Sequence, residues 1–290
     1  MSDDNLKLFL SQQQPGHRGY INSVFASFGQ SLVLLLRQRR IIFATFICFL
    51  PIVIPLMLAL ISSSQFGESG KDTFTQITMT VYVSGLTPLL ALFFATMLIG
   101  QDVEAHTIPY ILTRPLPRSA WVIGRFLAYM MTSSGIMGIS LALLFGSCTT
   151  LQNFGFESEN IRLVTHFWVT TMFGLLGYGS LTMFLGAFSK RPIIIGVILI
   201  YAWQPLAMVI PGYIDFLTIG KYVDAIQPST AMRDNTVTFQ TELGDFQKHI
   251  FAIELPQAML TLAIISLAFV IMTVISVRHR EYASAHAIGG

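Results

Sequence analysis

Six long apolar runs constrain this chain more than any other feature. They cover roughly Ile41–Ser62, Met79–Ile99, Val122–Cys148, Val164–Phe188, Pro192–Ile210 and Gln257–Val277. A helix needs about 20 apolar residues to cross a hydrocarbon core of ~30 Å. Backbone amides have no water partner there, so a crossing segment is a helix or part of a closed barrel. The runs are continuous rather than alternating, which predicts helices. Only 11% of the residues are charged, against ~25% in an ordinary soluble domain. Apolar residues make up 53% and mean hydropathy is +0.65. These values exclude a disordered chain, a collagen-like chain and a disulfide scaffold, and they argue against a water-soluble enzyme. A net charge of +2 gives no reason to expect a nucleic-acid partner.

The expected fold is therefore an all-α integral membrane protein with six transmembrane helices. A loose polar tail over 1–20 precedes one membrane unit over 21–277, and a second tail covers 278–290. The first tail has no apolar stretch of signal-peptide length. Of the 17 basic residues, 12 fall on the side of the two termini: Lys7, Arg18, Arg37, Arg39, Arg40, Arg114, Arg118, Arg125, Lys190, Arg191, Arg278 and Arg280. The positive-inside rule then places both termini in the cytoplasm.

No Asp, Glu, Lys or Arg lies in the central part of any run. Carriers driven by protons or sodium usually keep an ionisable group or a broken helix at the midplane. Energy for transport is thus expected from outside the membrane unit. Arg125 and His166 lie near run ends, where a long or polar side chain reaches the interface. The thirteen methionines and six histidines do not cluster at ligand spacing, so no metal site is expected. Cys48 and Cys148 read as small core residues. Gly70-Lys71 is no phosphate loop, because Gln65 and Asp72 stand where that pattern needs Gly and Ser or Thr. Gly177-Tyr178-Gly179-Ser180 lacks the order and the later histidine of an intramembrane serine protease. No catalytic residue and no cofactor is expected in this chain.

Several local features have two readings. Ile21, Val24, Phe25, Phe28, Leu32, Leu35 and Leu36 recur at helical spacing opposite Asn22, Ser23, Ser27, Gln30 and Ser31. This predicts an amphipathic helix lying along the interface and anchored by Arg37, Arg39 and Arg40, or else an overlong first span. Pro51 and Pro55 predict a kink in span one, as a hinge or a fixed bend. Ser134, Gly138, Ala142 and Gly146 form a small-residue stripe. It suits close helix packing within one subunit or between two. Span four adds Gly174, Gly177, Gly179 and Gly186. The outer segment between spans five and six either hangs free or folds back on the membrane.

The linker after span two reads GQDVEAHTIPYILTRPLPRSAWVIGRFLAY over 100–129. Asp102 and Glu104 are expected to open a short helix, where acids favour the positive dipole end. Val103, Thr107 and Ile111 give it an apolar side. Pro115 and Pro117 end it, and Arg114, Arg118 and Arg125 bracket the return to the membrane. Physically this is a rigid cytoplasmic knob or an ordinary positive loop.

Glu104-x-x-Thr107, then Leu112-Thr113-Arg114-Pro115-Leu116-Pro117-Arg118, then Gly124-Arg125-Phe126 resembles the signature linker of type-2 ABC-transporter permeases. The six-span layout, the N-terminal helix and the long outer segment resemble that family too. His106 stands where the family's glycine is common, Pro109 falls within the helix, and Arg125 replaces a lysine while keeping its charge. The resemblance implies a permease subunit in a prokaryotic inner or plasma membrane, working as an exporter. It implies two partners, an ABC ATPase that binds ATP and Mg and a second permease subunit, identical or homologous. By position, Asp102, Val103, Glu104, His106, Thr107 and Ile108 would face the ATPase as a coupling helix. Arg114, Pro115, Arg118, Gly124 and Arg125 would brace that knob against spans two and three. The competing readings are a self-contained carrier or channel and a non-transporting membrane anchor for a cytoplasmic partner.

Overall fold

The apolar runs fold as helices in a computed structural model of the chain. It describes residues 19–61, 69–104, 117–151, 154–189, 191–209, 214–228, 236–241, 244–249 and 253–279. Among these, six helices are long and apolar enough to cross a membrane: Gly19–Arg37, Ile41–Leu60, Gly70–Leu98, Arg118–Cys148, Ser158–Phe188 and Leu255–Val277. Five match expected spans. The expected fifth run is the shorter apolar helix Pro192–Ala207, and the N-terminal amphipathic helix meets the length and composition criterion in its place.

That first helix, α1 (Gly19–Arg37), packs on protein partly through small serines. Its buried residues are Ser27, Ser31 and Leu35. Ile21 and Phe25, on the apolar face, are 67% and 66% exposed. The buried edge mixes Ser27 and Ser31 with Leu35, while Asn22 and Gln30 are exposed together with Ile21, Phe25 and Leu36. The small serines permit a close helix contact, and the outward apolar side chains suit a lipid surround. Gln38 then breaks the helix with extended backbone (φ −78°, ψ 125°) before α2 (Arg39–Phe49). At the predicted kink, Pro51 sits in a 3₁₀ turn, Leu50–Ile52, followed by α3 (Val53–Ile61). Pro51 cannot donate to the preceding turn, so the helix tightens there.

The second span begins as α4 (Gly70–Ile77), widens to a π-helical stretch over Thr78–Leu86, and continues as α5 (Thr87–Glu104). Pro88 explains the widening. Its missing N–H and its ring disfavour an ordinary turn onto Ser84. Thr87 instead donates its N–H to the Tyr82 carbonyl five residues back. The fifth run repeats the device. It reads α8 (Pro192–Val197), a π stretch over Ile198–Trp203, and α9 (Gln204–Val209), with Pro205 just after the widened part. The Tyr201 hydroxyl donates to the Gly85 carbonyl at 3.2 Å, joining the two widened stretches.

The long helices α6 (Arg118–Cys148) and α7 (Ser158–Phe188) form the centre. The glycines of α7 each meet a neighbour in the same chain. A Cβ on Gly174 would meet Thr87, one on Gly177 Ile219 and Leu262, one on Gly179 the Tyr129 ring, and one on Gly186 the Thr96 backbone. Hydroxyls tie the helices at the same levels. Thr182 donates to the Ala91 carbonyl and Tyr129 to the Leu175 carbonyl, both at 3.0 Å. At the end away from the linker, Phe74 packs on Phe145, Phe154 and Phe167. An ion pair between Lys71 and Glu159, 2.9 Å long, closes the rim there.

Beyond α9 the chain turns back. A 3₁₀ turn at Ile214–Leu217 leads into α10 (Ile219–Ile226), which packs on α7 and on the last helix, α11 (Leu255–His279). Ile219 and Val223 lie against Gly177 and Gly174, level with the middle of α7. The first described part of the segment between the fifth and sixth runs thus folds back into the helix bundle. Its next part is an antiparallel hairpin, β1 (Thr236–Thr241) and β2 (Gly244–His249), with Phe239 opposite Phe246.

Candidate functional site

The linker is built between the end of α5 and the start of α6. The backbone of Asp102, Val103 and Glu104 continues α5. Asp102 and Glu104 therefore prolong the second-span helix and do not open a separate one, which corrects the expected dipole argument. His106, Thr107, Ile108, Arg114 and Pro115 lie outside the described residues. What is described is the frame that holds the linker.

Pro117 has extended backbone (φ −60°, ψ 129°), and α6 starts directly after it at Arg118. Proline suits such a start because the first turn of a helix leaves its N–H groups unused. Arg118 is exposed. Two turns on, Arg125 is buried, at 8% exposure. One guanidinium nitrogen, Nη1, donates to the Leu98 carbonyl of α5. The same guanidinium lies over the Trp121 ring, 4.1 Å from its centre. Arg125 thus turns inward rather than reaching to the interface. A buried cation needs a directed acceptor and a polarizable face, and the carbonyl and the indole supply both. His166 also turns inward, with Nε2 3.0 Å from the Ile226 carbonyl of α10.

Gly124 fixes the other side of the frame. A Cβ there would lie 2.7 Å from both the Val24 carbonyl oxygen and the Ser27 Cβ of α1. The glycine lets α1 touch the α6 backbone. Ser27 secures the contact by donating to the Trp121 carbonyl at 3.1 Å. Tyr20 reaches Ser119 at 3.2 Å. Trp121 therefore meets α1 through its carbonyl and Arg125 through its ring. The start of α6 is clamped between α1 and α5.

The small-residue stripe divides. Ser134 is buried, and its carbonyl accepts from Trp168 Nε1 of α7 at 3.3 Å. A Cβ on Gly138 would meet the same indole at 2.8 Å. Ala142 and Gly146 are exposed, and a Cβ on Gly146 would meet nothing within 4 Å. Among the anchoring arginines, Arg37 and Arg39 are exposed beside the Gln38 break, and the Arg40 side chain is outside the described residues.

A second polar assembly had no forecast in the sequence. Asp215 and Lys221 form an ion pair of 2.8 Å, both nearly buried. Lys221 also lies over the Phe216 ring. Gln204 Oε1 accepts from the Tyr178 hydroxyl at 2.9 Å and from the Gly220 N–H at 3.2 Å. Irregular backbone at this level is tolerated because protein groups satisfy it. The available signal was an acid and a lysine six residues apart in an otherwise apolar stretch. Among the described residues, no three His, Cys, Asp or Glu side chains gather as a metal site.

Comparison with known proteins places this arrangement. The family described as "ABC-2 family transporter protein" matches residues 34–204, more than half of the chain. No curated protein matches it. The matched stretch holds the first four apolar runs, most of the fifth, and the linker with the Arg125–Leu98 side of its clamp. The chain belongs to the ABC-2 family of transporter membrane proteins, as a permease subunit of an ABC transporter and not its catalytic ATPase.

Proposed function

We propose that this permease works as an exporter and takes its energy from a separate ATPase docked on the linker. The observation that carries this reading is the clamp around Arg125. It ties the helix entering the linker to the helix leaving it. A push on the linker would then move spans two and three as one body and would not be lost in a soft loop. In this reading Asp102, Glu104, His106, Thr107 and Ile108 contact the ATPase, while Arg114, Pro115 and Arg118 stiffen the approach. Both termini and the linker lie in the cytoplasm. ATP and Mg bind to the ATPase, and a second permease subunit, identical or homologous, completes the transporter. Nucleotide states drive the switch only if they bind the linker with different affinity.

The test is purification from native membranes in mild detergent, with mass spectrometry of the chains that come along. A Walker-type ATPase near one-to-one is expected, and Glu104→Ala is expected to release it while the permease still inserts. Recovery of the permease with no ATPase, together with substrate movement in ATP-free vesicles, would sink the proposal. Direction is read separately, by ATP-dependent loading of inside-out vesicles.

A further inference from the structure

The helices α2 and α5 enclose a groove of about 320 Å³. Its walls include Phe43, Ala44 and Cys48 on one side and Leu90, Phe93 and Met97 on the other. Every lining side chain is apolar or weakly polar except one, Arg39. Phe43 and Phe93 are exposed at the rim, so the groove opens to the outside of the bundle. The two walls run in opposite directions. The Cys48 carbonyl meets Tyr82 near the Leu86 end, which leaves Arg39 at the Met97 end.

Length identifies the kind of occupant. From Arg39 to Cys48 is nine residues, or ~14 Å of helix at 1.5 Å per residue. Half of a ~30 Å hydrocarbon core is ~15 Å. The groove is therefore one leaflet deep, apolar along its length, and cationic only at its mouth. Arg37 stands beside Arg39 at the same helix break and is also exposed. We infer that this groove binds an anionic glycerophospholipid from the leaflet on the Arg39 side, with one acyl tail between α2 and α5 and the phosphate at Arg39. The inference does not depend on the ATPase or on the direction of transport. It concerns a single lipid held at a built position, distinct from general contact with the bilayer.

The test uses the full chain in nanodiscs with trace phosphatidylglycerol or phosphatidylcholine carrying a photoactivatable group in mid-tail. Labelled peptides are mapped by mass spectrometry. Phosphatidylglycerol is expected to label 39–48 and 86–97 in preference to phosphatidylcholine. Arg39→Glu is expected to lower that labelling by at least about five-fold, since one basic residue near an anionic surface contributes ~1 kcal/mol. Arg39→Gln serves if the reversal of charge prevents folding. Ala44→Phe should block labelling of the groove by either lipid while labelling of the outward residues Leu260 and Leu267 on α11 persists. Equal labelling by the two lipids, unchanged by either Arg39 variant, would overturn the inference and leave ordinary boundary lipid. Efficient crosslinking between two copies carrying Phe43→Cys would overturn it as well, because a second chain would then fill the groove.

Discussion

Arg125 and Leu98 are joined across the two helices that flank the linker, the guanidinium donating to the carbonyl. The bond closes a short mechanical loop through the linker. Its acceptor is main chain, so the contact depends on helix position and not on the identity of residue 98.

Replacing Arg125 by Met keeps an unbranched apolar stem and removes the donor. A hydrogen bond from a charged group contributes about 1.5–3 kcal/mol. Arg125→Met is expected to unfold at lower temperature by that equivalent in detergent. Arg125→Lys should fall between, because an ammonium reaches the carbonyl but does not lie flat on Trp121. A Met variant as stable as the parent would mean that the contact adds nothing to the frame.

Two glycines on α6 should respond oppositely to alanine. At Gly124 the new methyl meets the α1 backbone. Overpacking of this kind costs about 1–3 kcal/mol. At Gly146 the methyl meets nothing within 4 Å. Gly146 lies in the last turn of α6, where replacing a glycine is worth up to ~0.5–1 kcal/mol of stability. Thermal unfolding of both variants, side by side, checks the close approach of α1. Equal effects would contradict it.

Three spans meet at one carbonyl. Ser140 donates to the Cys48 carbonyl at 2.6 Å, and the Tyr82 hydroxyl lies 2.7 Å from Ser140 Oγ and 3.2 Å from the same carbonyl. Hydrogen bonds between membrane helices average ~0.6 kcal/mol in double-mutant cycles. Tyr82→Phe and Ser140→Ala are each expected to cost about that much. The double variant should cost less than the sum of the two, since each hydroxyl supports the other. Strict additivity in the cycle would show that the groups act independently.

The Asp215–Lys221 pair predicts a larger effect. Breaking a buried pair by removing one partner costs about 3–5 kcal/mol, while replacing both is far milder. Lys221→Met should therefore destabilise strongly, and Asp215→Asn together with Lys221→Met should recover part of the loss. Proteolysis of the 210–255 segment in sealed vesicles reads whether α10 has left α7. Protection that is unchanged in Lys221→Met would remove the pair from the account of how this segment is held.

The sequence was most informative where one physical demand acts alone. A continuous apolar run has to be a helix in lipid, and the helices at Arg118–Cys148, Ser158–Phe188 and Leu255–Val277 follow from it. Pro51 marked its own 3₁₀ turn. The family resemblance read from the linker also held. Less was legible where two demands compete. The serines of α1 looked like a solvent face, yet Ser27 and Ser31 are buried, and Ser27 is small enough to sit against Gly124 of α6. Arg125 looked free to reach the interface, but Leu98 and Trp121 lie nearer. The π stretches were missed although Pro88 and Pro205 signalled them. A proline in an apolar run announces a disturbance without saying whether the helix tightens, as at Pro51, or widens. The Asp215–Lys221 pair depends on a chain reversal that no local pattern in 210–228 dictates.

The widened stretches before Pro88 and Pro205 share one hydrogen bond, from Tyr201 to Gly85. Restoring ordinary winding to either stretch would turn everything beyond it by about 100° per residue of slip. It would also carry away the atom that the other stretch holds. While Tyr201 and Gly85 remain in contact, the two spans behave like screws cut to a common thread: neither turns without the other.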